Sequence, residues 1–482
     1  RVSLVQRAAS ALVLTGSLLL PRVAAAEITL VEKDGWSVYI NGRAQAFLNY
    51  NNGDGYPGSA IVDGNGNSVD LRGGGQGPGD AFHEYDKLPA MRTSADLGKI
   101  EELRIRTGFV GNVLGFGIKK KLSESSELLA YTAVTTYIDS TNRRKYLDVR
   151  PDWRESFLRI SGLWGSLTAG RTGTLFSRGA TEITYLYGFK YGLGWPGSVS
   201  SPSGSGPGAG AVGFGVLANG FGGGFAYATP DLAGAQVSVG VYDANTLPGG
   251  GVWERVKWPR AETEITFERK LGGAGMFKLF GNGAWQKVYS KEGPAGGSII
   301  GVGYGGRVEV GPAHLGLAGH YGKGVGMDFA LQPTPAVWDH RDEYQTDLKM
   351  RVFTGYYAQA MVSATKAIDI MAGWGITSVA QTPEDKLDSK NDDVATDPTG
   401  TLTPSANDDA DLTRPESVGF VTIKSQTGIN GGVTFHLTEN LHLAFEYFRA
   451  MFEWYKPTPA TAQTANPKQN FHVVNAGLTY DW

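Results

Sequence analysis

The side chains able to do chemistry are scattered along this sequence, and their spacing argues against a catalytic centre. Seven histidines are present. His314 and His320 stand six residues apart and share one face of a strand, which admits a metal pair. A catalytic zinc needs a third protein ligand, and no H-E-x-x-H occurs. Residues 301–306, GVGYGG, satisfy G-x-G-x-x-G. A dinucleotide site also needs a helix after the glycines and an acidic residue about twenty positions on. Here an alternating segment, RVEVG, follows, so small residues in a sheet explain the glycines better. No G-x-S-x-G nucleophile elbow stands on a strand–helix turn. Cysteine is absent, which removes disulfides, thiolate metal sites and a cysteine nucleophile.

What remains is binding chemistry. Residues 383–416 hold ten Asp or Glu against three Lys or Arg, oxygen ligands of the kind calcium prefers; a solvated loop is the plainer reading. DGNGNSVD (63–70) raises the same idea without EF-hand spacing. Residues 172–220 contain Arg178 and Lys190 but a single acid, Glu182. Tyr185, Tyr187, Phe189, Tyr191 and Trp195 follow closely. Their rings either offer faces to sugars along a solute path or pack that segment against a wall, and packing is favoured.

The elements that must carry these residues read as strands. The chain of 482 residues is rich in glycine (69) and low in charge (19%), a composition that leans towards all-β. Its formal net charge of −3 argues against a nucleic-acid binder driven by bulk positive charge. Alternation over about nine to twelve residues, the length of a tilted bilayer-crossing strand, recurs throughout. Val38, Ile40, Ala44, Ala46 and Leu48 oppose Tyr39, Asn41, Arg43, Gln45 and Phe47. Ile368, Ile370, Ala372, Trp374 and Ile376 oppose Asp369, Met371, Gly373 and Gly375. About sixteen strands are expected, starting near 36, 102, 127, 153, 165, 221, 235, 260, 276, 299, 313, 350, 367, 420, 441 and 471, with 380–440 the hardest stretch to divide.

A soluble sandwich also alternates, but two features separate the cases. Tight turns (230–234, 271–275, 311–312, 437–440) alternate with long polar segments (50–101, 172–221, 325–349, 380–417), as in an outer-membrane barrel. The polar face is rich in Gly, Asn, Arg, Glu and Gln, and aromatics sit near strand ends of the apolar face. In lipid every backbone N–H and C=O must be paired, so a closed sheet is required.

The termini agree. Residues 1–26 combine Arg1 and Arg7, an apolar run from Ala8 to Leu20, and Ala24-Ala25-Ala26, the pattern of a signal peptide cleaved after Ala26. Residues 27–482 then form a single transmembrane barrel domain. The final strand alternates through Val474, Ala476, Leu478, Tyr480 and Trp482. Tyr480 and Trp482 suit the membrane interface and match a terminal signal read by the barrel-assembly machinery.

At this point the sequence resembles the general trimeric porins of Gram-negative outer membranes. AEITLVEKDGWSVYINGRAQAFLNYNNGDGYPG is similar to their opening strand, with a DG…V…Y/L-x-G-K/R core. LRIRTGFVG is similar to their second strand, LRISGLWGSLTAGRTG to GLxGxFGxLxxGRQ, GGGFAYATPDLAGAQVSVGVY to xxYxSPxFxGxxxxxxY, and AGLTYDW to GLRYxF. The resemblance covers both ends and much of 27–242. It implies a sixteen-stranded antiparallel barrel, usually a homotrimer, with short periplasmic turns, long outer loops and a third loop (about 172–220) folded into the lumen.

It further implies basic wall residues at Arg43, Arg106, Arg159 and Arg171, with no cofactor and no catalytic residue. The acidic run usual in the third loop is missing here. An inward loop bearing Arg178 and Lys190 against Glu182 therefore implies a constriction of weak anion preference. On this reading the protein passes small hydrophilic solutes and ions. Its acidic outer loop (about 380–417) meets calcium and lipopolysaccharide. The alternatives are a porin specific for a sugar or an anion such as phosphate, a barrel enzyme of the outer membrane, and a structural or adhesive barrel.

Overall fold

The computed structural model describes residues 27–54, 87–89, 99–108, 111–136, 138, 152–183, 211–217, 219–244, 257–272, 275–289, 296–326, 336–338, 348–382, 420–455 and 468–482. In chain order the first strands are β1 (Ile28–Lys33), β2 (Trp36–Asp54), β3 (Lys87–Pro89), β4 (Lys99–Arg106), β5 (Asn112–Lys121), β6 (Glu127–Thr136), β7 (Asp152–Gly162) and β8 (Gly165–Gly173). A short helix, α1 (Arg178–Ile183), precedes β9 (Phe221–Ala228), β10 (Ala235–Tyr242), β11 (Arg260–Lys270), β12 (Gly275–Tyr289), β13 (Gly296–Val310) and β14 (Ala313–Lys323). The rest are β15 (Ala336–Trp338), β16 (Leu348–Met350), β17 (Val352–Thr365), β18 (Ile368–Ala380), β19 (Phe420–His436), β20 (Leu441–Trp454) and β21 (Lys468–Asp481).

Eighteen of these strands close into a ring of sixteen antiparallel staves, whose starts lie within three residues of the sequence expectation, while β3 pairs with the start of β19 and β15 with β16 in a separate two-stranded sheet. Two staves are composite, which the sequence did not indicate. β4 and β5 lie end to end along one edge of β2, at Asn49↔Arg104 and Ile40↔Phe116. The ladder is interrupted between Arg106, where β4 ends, and Asn112, where β5 begins. There the Gln45 N–H donates to Asn112 Oδ1 (2.7 Å), and Gln45 Nε2 donates to the Gly111 carbonyl (2.8 Å). Side chains thus replace the missing ladder bonds, as burial of backbone polar groups demands.

The other edge of β2 takes β21 along residues 43–53 and β1 along residues 36–40. β1 and β21 therefore share the closing stave. β1 turns into β2 through Asp34 (φ 52°) and Gly35 (φ 76°), the left-handed pair that a two-residue hairpin requires.

Short connections gather at one end: 34–35, 122–126, 163–164, 229–234, 271–274, 311–312, 366–367 and 437–440. The long ones, including 55–98, 174–220, 324–351 and 381–419, all leave the other end. Burial is inside-out relative to a globular domain. On β2, Asn41, Arg43, Gln45, Asn49 and Asn51 are buried while Leu48 is exposed. Leu103, Ile105, Leu158, Phe225, Ile265 and Leu317 are likewise exposed on the outer face. Such an apolar belt is stable only against lipid. Aromatic residues mark its short-turn margin, with Trp164 stacked on Tyr227 (6.1 Å) and Tyr480 on Trp482 (6.0 Å).

Candidate functional site: the inner wall and the third loop

The described parts of the third loop, 174–183 and 211–217, lie inside the barrel against its inner wall. The loop leaves β8 where the Thr174 N–H donates to the Gly220 carbonyl (2.9 Å), which ties the two ends of the loop together. Leu175 and Phe176 are fully buried. The Phe176 N–H donates to Glu262 Oε2 (2.8 Å), and Arg178, opening α1, pairs with Glu264. α1 packs on β12, β13 and β14, where Gly179 meets the Phe280 ring. Glu262 and Glu264 are both on β11 and project inward, since Ile265 between this face and lipid is exposed. Two wall carboxylates therefore hold the loop's first leg.

The loop's described second leg, 211–217, sits on the adjoining arc, over β17, β18 and β20. The Gly215 N–H donates to Thr377 Oγ1 on β18 (2.9 Å). Phe214 packs edge-on against Phe448 (5.0 Å) and Phe452 (5.7 Å) of β20. Val212, Phe214, Val216, Phe353, Phe448 and Val473 are all 1% exposed or less, so this part of the inner wall is an apolar seat. Gly215 has φ +90°, and a Cβ there would stand 2.1 Å from the Tyr356 carbonyl oxygen. Only glycine allows the backbone to lie so close to the wall.

The wall glycines have the same use. In GVGYGG, Gly301 faces Phe176, and Gly305 faces Phe280. That segment lies wholly within β13, as expected of a sheet rather than a nucleotide site.

The inner-wall residues expected from sequence divide clearly. Arg43 is buried and inward, with Nε donating to Asp481 Oδ1 (2.6 Å) across the closing seam. Arg106 is buried on β4, inward because Ile105 is exposed outward. Arg159 also faces inward, with Leu158 and Ile160 outward; its Nε donates to Thr168 Oγ1 (2.9 Å) and its guanidinium lies over Phe157 (5.1 Å). Arg171 is different. It alternates with Thr172 and Thr168, which are buried inward, and is itself exposed, sharing the outer face with Leu167. The expectation that it lines the constriction is corrected: the G-R motif set its position, but the period of two sets its face.

Arg178 belongs to the inward loop as expected, but it meets a carboxylate rather than standing as an open positive charge. Glu182 lies within α1. Tyr185, Tyr187, Phe189, Lys190, Tyr191 and Trp195 fall outside the described residues, as do residues 1–26, 63–70 and 383–416.

His314 and His320 do share a face, but six strand residues separate them by about 20 Å. His320 is buried beside Gly355, and His314 lies 3.7 Å from Glu309. At the chain's end the Trp482 N–H donates to the Gly42 carbonyl (3.0 Å), and the Gly42 N–H donates to the Trp482 carbonyl (2.7 Å). The Trp482 ring lies over Gly42.

Sequence reasoning did not find Glu262, Glu264, Thr377 or Asp481 as partners. Nothing local in the sequence linked the first three to a loop, or Asp481 to Arg43.

No protein-family model matches the chain, and no curated protein matches it. Among solved structures, the fold is similar to the outer membrane channel DcaP of Acinetobacter baumannii, with TM-score 0.58 and 12% identity over 94% of this chain and 99% of that one. It is also similar to an anion-selective porin from Comamonas acidovorans, with TM-score 0.50 and 11% identity over 93% and 100%. At these identities the likeness is one of fold. Fold and site together define a closed, sixteen-stranded transmembrane β-barrel with a loop folded against its inner wall.

Proposed function

We propose that this chain forms a water-filled pore in a Gram-negative outer membrane and passes small hydrophilic solutes and ions by diffusion. The observation that carries this reading is the seating of the third loop inside a closed barrel whose polar side chains face inward. A loop in that place narrows a passage without any catalytic group. A closed barrel with an apolar belt needs a bilayer, and the signal-like residues 1–26 and the interfacial Tyr480 and Trp482 suit export and assembly there. The porin-like architecture supports a homotrimer.

Selection rests first on width and second on wall charge, because a charge in a low-dielectric constriction draws its counter-ions. Arg43 and Arg178 each face a carboxylate, and Arg159 lies beside Glu155, so the bias towards anions is weak.

Purified protein in planar bilayers is expected to give stepwise conductance, and proteoliposomes to swell in small sugars but not in large ones. A bilayer that shows no steps, with folded protein inserted, contradicts the pore. Replacing Arg106 by Gln is expected to move the reversal potential under a salt gradient towards cations. An unchanged potential removes Arg106 from this role.

A further inference from the structure

Apart from the third loop, one cluster of inward side chains lies at the short-turn mouth. Asp369 is the second residue of β18, beside the outward Ile370; His436 ends β19 two residues past the buried Thr434, and His442 is the second residue of β20, two before the buried Ala444. His436 and His442 are in register across a strand pair. Their δ nitrogens stand 2.9 Å apart with the rings edge-on at 86°.

The other nitrogen of His436, Nε2, is 2.8 Å from Asp369 Oδ2, and the Ser363 hydroxyl donates to Asp369 Oδ1 (2.7 Å). A carboxylate accepts, so Nε2 carries the proton and Nδ1 of His436 presents its lone pair to His442. This is how a carboxylate orients a metal-binding imidazole.

We propose that the δ nitrogens of His436 and His442 form a copper(II) site at this mouth of the lumen. Two adjacent ligands of a tetragonal ion, each at about 2.0 Å, stand about 2.8–2.9 Å apart, and imidazoles in that geometry select copper(II) over zinc. The ion replaces the proton shared between the two nitrogens, and that proton is released to solvent. Among the described residues no cluster of three His, Asp or Glu forms a metal site, so water completes the coordination.

The test is a titration of the detergent-purified protein with copper(II), read by electron paramagnetic resonance, which needs no ion flow and is independent of the channel reading. One copper per chain with coupling to two imidazole nitrogens is expected. His442→Asn should abolish the two-nitrogen pattern, Asp369→Asn should weaken binding by about 10–100-fold, and His472→Asn should leave both unchanged. A wild-type spectrum with no bound copper, or with one imidazole only, overturns the site whether or not the variants fold. So does a two-nitrogen pattern that persists in folded His442→Asn.

Discussion

Arg43 and Asp481 are 438 residues apart and join the first long strand to the last by a buried 2.6 Å ion pair. Removing one partner of a buried pair strands the other charge, which costs about 3–5 kcal/mol. Arg43→Gln and Asp481→Asn are each expected to lower barrel stability by about that amount, measured by denaturant unfolding from lipid vesicles. The double variant should recover much of the loss, because no uncompensated charge remains. Additive losses would show that the pair does not hold the seam.

The neighbouring contact has the same logic in backbone form. Gly42 and Trp482 exchange two hydrogen bonds, so the last residue completes the ladder where β21 gives way to β1. Alternation along 36–48 made the inward position of Arg43 legible. Its partner was not legible, because a period says which face a residue takes and not which distant residue it meets. Arg171 shows the converse: its outward face could be read from Leu167 and Ala169, and a motif at the loop root obscured it.

Among the elements, the third loop depends on two unlike anchors. Glu262 and Glu264 of β11 hold its first leg by polar bonds, and the apolar seat under Phe214 holds its second. A buried carboxylate with a hydrogen-bonded partner contributes more than a neutral bond, so Glu262→Gln with Glu264→Gln is expected to free the first leg while the second stays seated. Single-channel steps should become larger and noisier in the double variant. Steps of unchanged size and noise would mean that these carboxylates do not position the constriction.

The sixteen strand starts were legible because each stave pairs a two-residue period with turn chemistry at its ends. The break between β4 and β5 was not. Beside it the Gln45 N–H and the Gly111 carbonyl are satisfied by the side chains of Asn112 and Gln45, and a substitution of side chain for ladder leaves no mark on periodicity. The loop's seat was half legible: the glycines of β13 announced small residues in a wall, and only the fold shows that Phe176 and Phe280 fill the space they leave.

For the whole molecule, the decisive property is the inversion of burial. Polar residues such as Asn51, Gln286 and Thr377 are fully buried on the inner face, while Ile370 and Leu317 are about half exposed on the outer one. A ring with that pattern leaves no sheet edge and no unpaired backbone in hydrocarbon. The absence of cysteine makes the inversion directly measurable, since any introduced thiol is unique. Single cysteines placed along β18 from 370 to 377, each carrying a fluorophore, can be read in bilayers containing lipid-attached quenchers. Strong quenching is expected at Ile370, Ala372, Trp374 and Ile376, and little at Met371, Gly373, Gly375 and Thr377. Quenching without that two-residue alternation, or strongest at Met371 and Thr377, would contradict a barrel whose outer face meets lipid.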